Sequence, residues 1–189
     1  MRRLAACLLA SALTGLATGS APAQEPVSRA DVGVAQRTTA GEFPGTWAYA
    51  SRDEQFALWF RERAGRIEMR VGFASTFNSE AFETDWLGDA QYDFGSTGKG
   101  TVSIRLTETS TDGLRGTWDW RLVTADTTRS QKGTFTIYRA LDGRSLVVDF
   151  AEWEWRVTDG RGERKAAPKR ALQFTKVSKR LALWDELPF

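Results

Sequence analysis

Trp118-Asp119-Trp120-Arg121 and Trp153-Glu154-Trp155-Arg156 are near-copies of one string. In a β-strand, residues two apart point to the same side. Each string therefore places two indoles on one face and an acid and an arginine on the other. Two half-buried antiparallel strands with a tryptophan-rich interior follow from this pattern. Each string is followed by a polar loop and then a strand containing Phe-Thr, Phe135-Thr136 and Phe174-Thr175. The two stretches read as equivalent hairpins of one sheet.

The same period of two extends through the chain. Phe56, Leu58 and Phe60 alternate with Ala57, Trp59 and Arg61, and Ile67, Met69, Val71 and Phe73 return on one face after Ala64-Gly65. Val102, Ile104 and Leu106 form another row, as do Leu114, Gly116, Trp118, Trp120 and Leu122. Phe135 and Ile137 alternate with Thr134, Thr136 and Tyr138. Asp112-Gly113, Asp142-Gly143 and Asp159-Gly160 supply turn signals. The expectation is an all-β antiparallel meander of about eight strands, closed into an up-and-down barrel that leaves no exposed edges. Residues 75–98 lack clean spacing. They read as a long loop with room for a short helix, then a strand near residues 89–94.

The first 23 residues have the pattern of a secretory signal peptide: Arg2 and Arg3, an Ala/Leu-rich run, and Ala21-Pro22-Ala23 as the cleavage site. Residues 24–42 read as a flexible lead-in, 43–180 as a single barrel domain, and 181–189 as a short apolar tail. The leader points to export into the periplasm of a Gram-negative bacterium or beyond it. No run is long and apolar enough for a transmembrane span. Loss of Arg2 and Arg3 takes the 26 basic residues to 24, equal to the 24 acidic ones. A neutral chain gives no support to nucleic-acid binding.

Histidine is absent, and the one cysteine, Cys7, lies in the leader. Ser-His-Asp and Cys-His nucleophiles are thereby excluded, as are zinc sites of His or Cys ligands. Thiol redox chemistry and His-ligated haem fall with them. No cofactor, metal site or catalytic residue is expected. Any catalysis would rest on Asp, Glu, Tyr, Lys or Arg, or on a metal bound by oxygen ligands alone.

Gly45-Thr46-Trp47 resembles the Gly-x-Trp motif that opens the first strand of lipocalins and related calycin barrels. The resemblance implies an eight-stranded secreted barrel with a small apolar ligand inside. It also implies a basic residue from the last strand over that tryptophan, here Lys176, Lys179 or Arg180. The family's Thr-Asp-Tyr loop motif has no counterpart at its usual place, since Thr84-Asp85-Trp86 comes too early. Gly116-Thr117-Trp118 repeats the opening string inside the chain.

The tryptophans admit three readings. Trp118, Trp120, Trp153 and Trp155 fill the barrel; or they wall a cavity, since eight strands are just wide enough to hold one small ligand; or some stand outside as a sugar-stacking platform, with Trp59 the best placed. In residues 144–158 the apolar phase switches, from Leu146, Val148 and Phe150 to Trp153 and Trp155. This predicts a β-bulge near residues 149–152. Without it, Asp149 would share the interior with the indoles as an acid or ligand anchor. The candidate ligand-binding residues are therefore Trp118, Trp120, Trp153, Trp155, Asp149 and Tyr138.

Other groupings read as solvated charge: Glu152 with Glu154, the basic run from Arg161 to Arg170, and Asp85, Asp89 and Asp93, which lack the glycine and spacing of an EF-hand. Three functions stay open. The first is a non-catalytic barrel binding a small apolar or aromatic molecule. The second is a lipocalin-like isomerase, cyclase or lyase using a buried carboxylate or tyrosine. The third is a protein-interaction or inhibitor module with a solid core.

Overall fold

Alternation of apolar and polar residues between glycine turns yields eleven strands in a computed structural model of the chain. It describes residues 40–75, 80–93, 98–110, 113–158, 163–166 and 170–189, with backbone alone at 40, 80, 152–158 and 163–166. The strands are β1 (Gly45–Ala50), β2 (Glu54–Arg63), β3 (Arg66–Ser75), β4 (Glu80–Glu83), β5 (Asp89–Asp93), β6 (Lys99–Ser110), β7 (Gly113–Val123), β8 (Thr128–Arg139), β9 (Ser145–Thr158), β10 (Glu163–Ala166) and β11 (Arg170–Ser178). The signal peptide and most of the lead-in lie outside the described residues. The lead-in's last three residues, Ala40–Glu42, form a 3-10 turn.

One antiparallel sheet contains every strand, in the order β4-β3-β2-β1-β11-β9-β8-β7-β6-β5, with β10 attached to β9. The first strand pairs with the last: Trp47 stands opposite Lys176 and Ala48 opposite Thr175. The expected meander is present, but the count is eleven instead of eight and the barrel is nearly closed instead of fully closed. The extra strands are mostly short. β4 comes from the stretch read as a loop with room for a short helix, and β5 is the strand expected near residues 89–94. The described residues of that stretch hold no helix; residues 84–88 make a turn between the two strands.

That turn sits at the seam. Asp85 Oδ1 accepts from the backbone N–H of Leu87 at 2.8 Å and of Asp89 at 3.0 Å. Ile104 N–H donates to the Gly88 carbonyl at 2.6 Å. Gly88 has φ 87°, and a Cβ there would stand 2.0 Å from the Ile104 oxygen, so only glycine fits. Across the seam Phe82 of β4 stacks on Tyr92 of β5, with ring centroids 6.0 Å apart. Edge strands of four and five residues keep the unpaired backbone short.

The predicted face switch in β9 is resolved by a one-residue slip. Thr134 stands opposite Ala151, yet Lys132 stands opposite Glu154, so β9 carries an extra residue between Ala151 and Glu154. At the same place β9 changes partner, pairing with β11 through residue 150 and with β10 from residue 154.

The residues along β7 follow the string that suggested the fold. Leu114, Gly116, Trp120 and Leu122 are buried and Trp118 is half-buried, while Arg115, Thr117, Asp119 and Arg121 are exposed. One end of the barrel is sealed. Phe43, Trp47, Phe60, Ile67, Leu114 and Leu146 are all buried there in one cluster. Trp47 Nε1 donates to the Phe43 carbonyl at 2.8 Å, and the Phe43 ring packs on Phe60 with centroids 5.7 Å apart. Lys176 Nζ lies 4.8 Å from the centre of the Trp47 ring, so Lys176 is the one of the three expected residues that covers this indole, and the Arg139 guanidinium joins it at 5.9 Å.

Trp59 is not an exposed platform. It points outward from β2, but residues 182–189 fold back over it and leave it 0% exposed. Ala57, Ala182 and Leu187 are buried with it, and Trp86, Val177, Trp184 and Phe189 pack against this second core. The apolar tail is thus an outer layer of the wall.

Candidate functional site

The barrel is hollow. A cavity of ≈ 350 Å³ occupies its interior, at the small end of the range for ligand sites. Its walls come from the inward faces of most strands. Trp118 and Trp120 of β7, Phe56 and Leu58 of β2, Phe73 of β3 and Phe135 of β8 are among the apolar lining residues. The rings meet obliquely: Trp118 and Phe150 cross at 71° with centroids 6.1 Å apart, and Phe56 and Phe73 lie 4.6 Å apart. Small residues make the room. Gly116 and Gly133 stand beside the bulky Phe135 and Trp118 in the paired strands β7 and β8.

The polar lining residues are Glu54, Ser75, Arg129, Gln131 and Arg170. All five sit at one end of their strands. Glu54 opens β2 and Ser75, directly opposite, closes β3. Arg129 and Gln131 lie in the first turn-side residues of β8, and Arg170 opens β11. In the antiparallel order these strand ends fall at the same rim, opposite the end sealed by Phe43. The cavity is therefore an apolar well with a polar mouth.

Arg170 is the most constrained charge of the mouth. Its Nη1 donates to Glu54 Oε1 at 3.3 Å and its Nη2 to Glu54 Oε2, a two-pronged pair. Burial disfavours its charge, yet hydrogen bonding and the field of Glu54, with a contribution from Tyr49, hold its pKa above the ordinary arginine value. Its Nε is buried and finds no hydrogen-bond acceptor among the described residues. Arg129 is exposed at the rim and forms no ion pair among the described residues.

Of the residues proposed from sequence, Trp118 and Trp120 are brought together on the cavity wall. Trp153 and Trp155 belong to β9, where Trp155 stands opposite Gln131 and Lys165; their side chains lie outside the described residues. Asp149 is half-buried and alternates with Val148 and Phe150, both of which line the cavity, so it sits on the outer face. The slip in β9 comes after it, which removes the arrangement that would have turned it inward. Tyr138, next to the cavity residue Ile137, likewise falls on the outer face and is not a lining residue.

Arg170 corrects the reading of the basic run as solvated charge. It is in phase with Leu172 and Phe174, two cavity residues. Glu54 is in phase with Phe56 and Leu58, and Arg129 and Gln131 with Phe135 and Ile137. Extending each alternation outward by one to three repeats would have found all four.

The aspartates of residues 85–93 do not converge. Asp85 caps the seam turn, Asp89 pairs with Arg105 at 2.6 Å and Asp93 with Lys99 at 2.9 Å. No group of His, Cys, Asp or Glu suited to a metal occurs among the described residues. No described helix is long and apolar enough to cross a membrane. Comparison with protein-family models, with curated proteins and with solved structures finds no match.

Proposed function

We propose that this protein is a non-catalytic carrier that holds one small apolar or aromatic molecule in its barrel. The observation that carries this reading is the ≈ 350 Å³ cavity, lined by Trp118, Trp120 and several phenylalanines and sealed at one end. Burying a ligand there removes apolar surface from water at about 25 cal/mol per Å². A preformed wall of packed rings loses little entropy on binding. The leader pattern of residues 1–23 supports a place in the periplasm or outside the cell.

The catalytic alternative draws on an inward carboxylate. Glu54 is the described carboxylate of the lining, and both its oxygens are engaged by Arg170. That arrangement suits a structural ion pair better than a proton carrier. The interaction-module alternative calls for a solid core, which a hollow barrel does not provide.

The test is a fluorescence titration. Trp118 and Trp120 form part of the wall, so a bound ligand changes their surroundings. Saturable quenching or a shift of emission is expected on titrating neutral lipids, sterols and aromatic compounds, N-phenyl-1-naphthylamine among them. Emission that stays constant across the whole set overturns the carrier reading.

A further inference from the structure

The mouth and the well differ in chemistry, and the difference specifies the ligand's two ends. The well is apolar to its sealed floor. Among the described residues the mouth holds two guanidinium groups, one carboxylate, an amide and a hydroxyl. Glu54 neutralises one of the guanidiniums. Among the described lining residues one positive charge is left over, on Arg129 at the exposed rim. Arg170 itself lines the cavity beside Gln131 and Arg129.

We propose that the cavity selects amphipathic monoanions, an alkyl or aryl monocarboxylate with its head at Arg129, Gln131 and Arg170 and its tail among the rings. The proposal rests on the carrier reading and adds the head-group chemistry. A guanidinium fork matches a carboxylate in shape as well as charge. The leftover charge of one favours a monoanion. A phosphate dianion would exceed it and face the carboxylate of Glu54 at the same mouth. At roughly 30 Å³ per non-hydrogen atom, the share of a water in the liquid, the cavity takes about a dozen such atoms. Decanoate has that size.

Isothermal titration calorimetry of the purified protein with decanoate, 1-decanol and decyltrimethylammonium at pH 7 tests this. Decanoate is expected to bind ~10-fold or more tightly than decanol, as a charged hydrogen bond would give, and the cation weakest. Arg129→Gln, at an exposed position, should cut decanoate affinity by about the same factor and leave decanol unchanged. Glu54→Gln releases Arg170 and should tighten decanoate without tightening decanol. Equal affinity for decanoate and decanol, or an Arg129→Gln variant that binds decanoate as before, overturns the anion selectivity and leaves the carrier reading standing. Absence of heat and of fluorescence change with all three probes overturns both.

Discussion

The indole N–H of Trp59 donates to the Ala182 carbonyl at 2.7 Å. The bond ties the outer face of β2 to a segment more than a hundred residues later in the chain. Trp184 stacks obliquely on the same indole at 6.1 Å, and the Arg70 guanidinium lies 4.5 Å from its ring. Thr46 Oγ1 fastens the same segment, donating to the Arg180 carbonyl at 2.8 Å and accepting from Ala182 N–H at 2.9 Å. Trp59→Ala should cost about 3–5 kcal/mol, the usual loss for a fully buried tryptophan. The urea midpoint measures it. Deleting residues 181–189 should lower the midpoint as well and shift tryptophan emission to the red. A midpoint that neither change moves would show that the tail is not part of the wall.

Gly116 limits how the cavity is built. A Cβ there would stand 2.2 Å from Phe135 Cζ and 2.4 Å from the Arg105 carbonyl oxygen. Gly116→Ala must push the Phe135 ring into the cavity or part β6 from β7. Overpacking of this kind costs roughly 1–3 kcal/mol. The variant should show a lower melting temperature and weaker binding of cavity probes than the parent.

Lys176 balances two effects above Trp47. The ring attracts its charge by about 0.5–1 kcal/mol. Burial, with the nearby charges of Arg139 and Lys179, opposes that charge and lowers its pKa from the ordinary lysine value of 10.5. Lys176→Met should therefore change stability at pH 7 by less than about 1 kcal/mol. The pH dependence gives the sign. Just below pH 10.5 the folded protein binds fewer protons at this site than the unfolded chain, so stability from this group rises with pH. Denaturant curves between pH 7 and 10.5 should show the parent gaining on Lys176→Met.

Asp142 closes the β8–β9 hairpin. Its Oδ1 accepts from the backbone N–H of Arg144 at 2.7 Å and of Ser145 at 2.8 Å, and its Oδ2 accepts from Ser145 Oγ at 2.6 Å. Burial would raise its pKa, but these bonds and the charge of Arg139 bring it below the usual 3.8. The stability it supplies is present above pH 3.8 and is lost as pH falls through the lowered value. Asp142→Ala should cost about 1 kcal/mol at pH 7, in line with loss of a turn-forming acceptor. The difference from the parent should shrink in denaturation curves taken from pH 4 down to 2.

Period-two spacing made the barrel and half of its site legible. Trp118 and Trp120 announced a wall because no residue of β7 breaks phase. The face switch after Phe150 announced a bulge, since a strand cannot exchange faces without an added residue. Of the two seam strands β5 was legible near residues 89–94, but β4 was not: it is too short for alternation to stand out, and its Phe82 stacks across the gap on Tyr92. The mouth was missed for a different reason. Charged residues at strand ends look solvated in a sequence, and only closure of the sheet brings Glu54 of β2 against Arg170 of β11. The outward burial of Trp59 depends on a segment that carries no period at all.

The pairing of β1 with β11 sets a schedule for folding. The wall lacks its longest-range seam until Arg170–Ser178 has left the ribosome, because that strand sits between β1 and β9. Until then Gly45–Ala50 and the first half of β9 each present an unpaired edge, and the well has no side. Contacts this distant form late and slowly, and open edges invite pairing between copies of the chain. On the carrier reading a ligand is taken up only by the finished protein, and a holding chaperone would find its substrate in the interval before the last strand arrives.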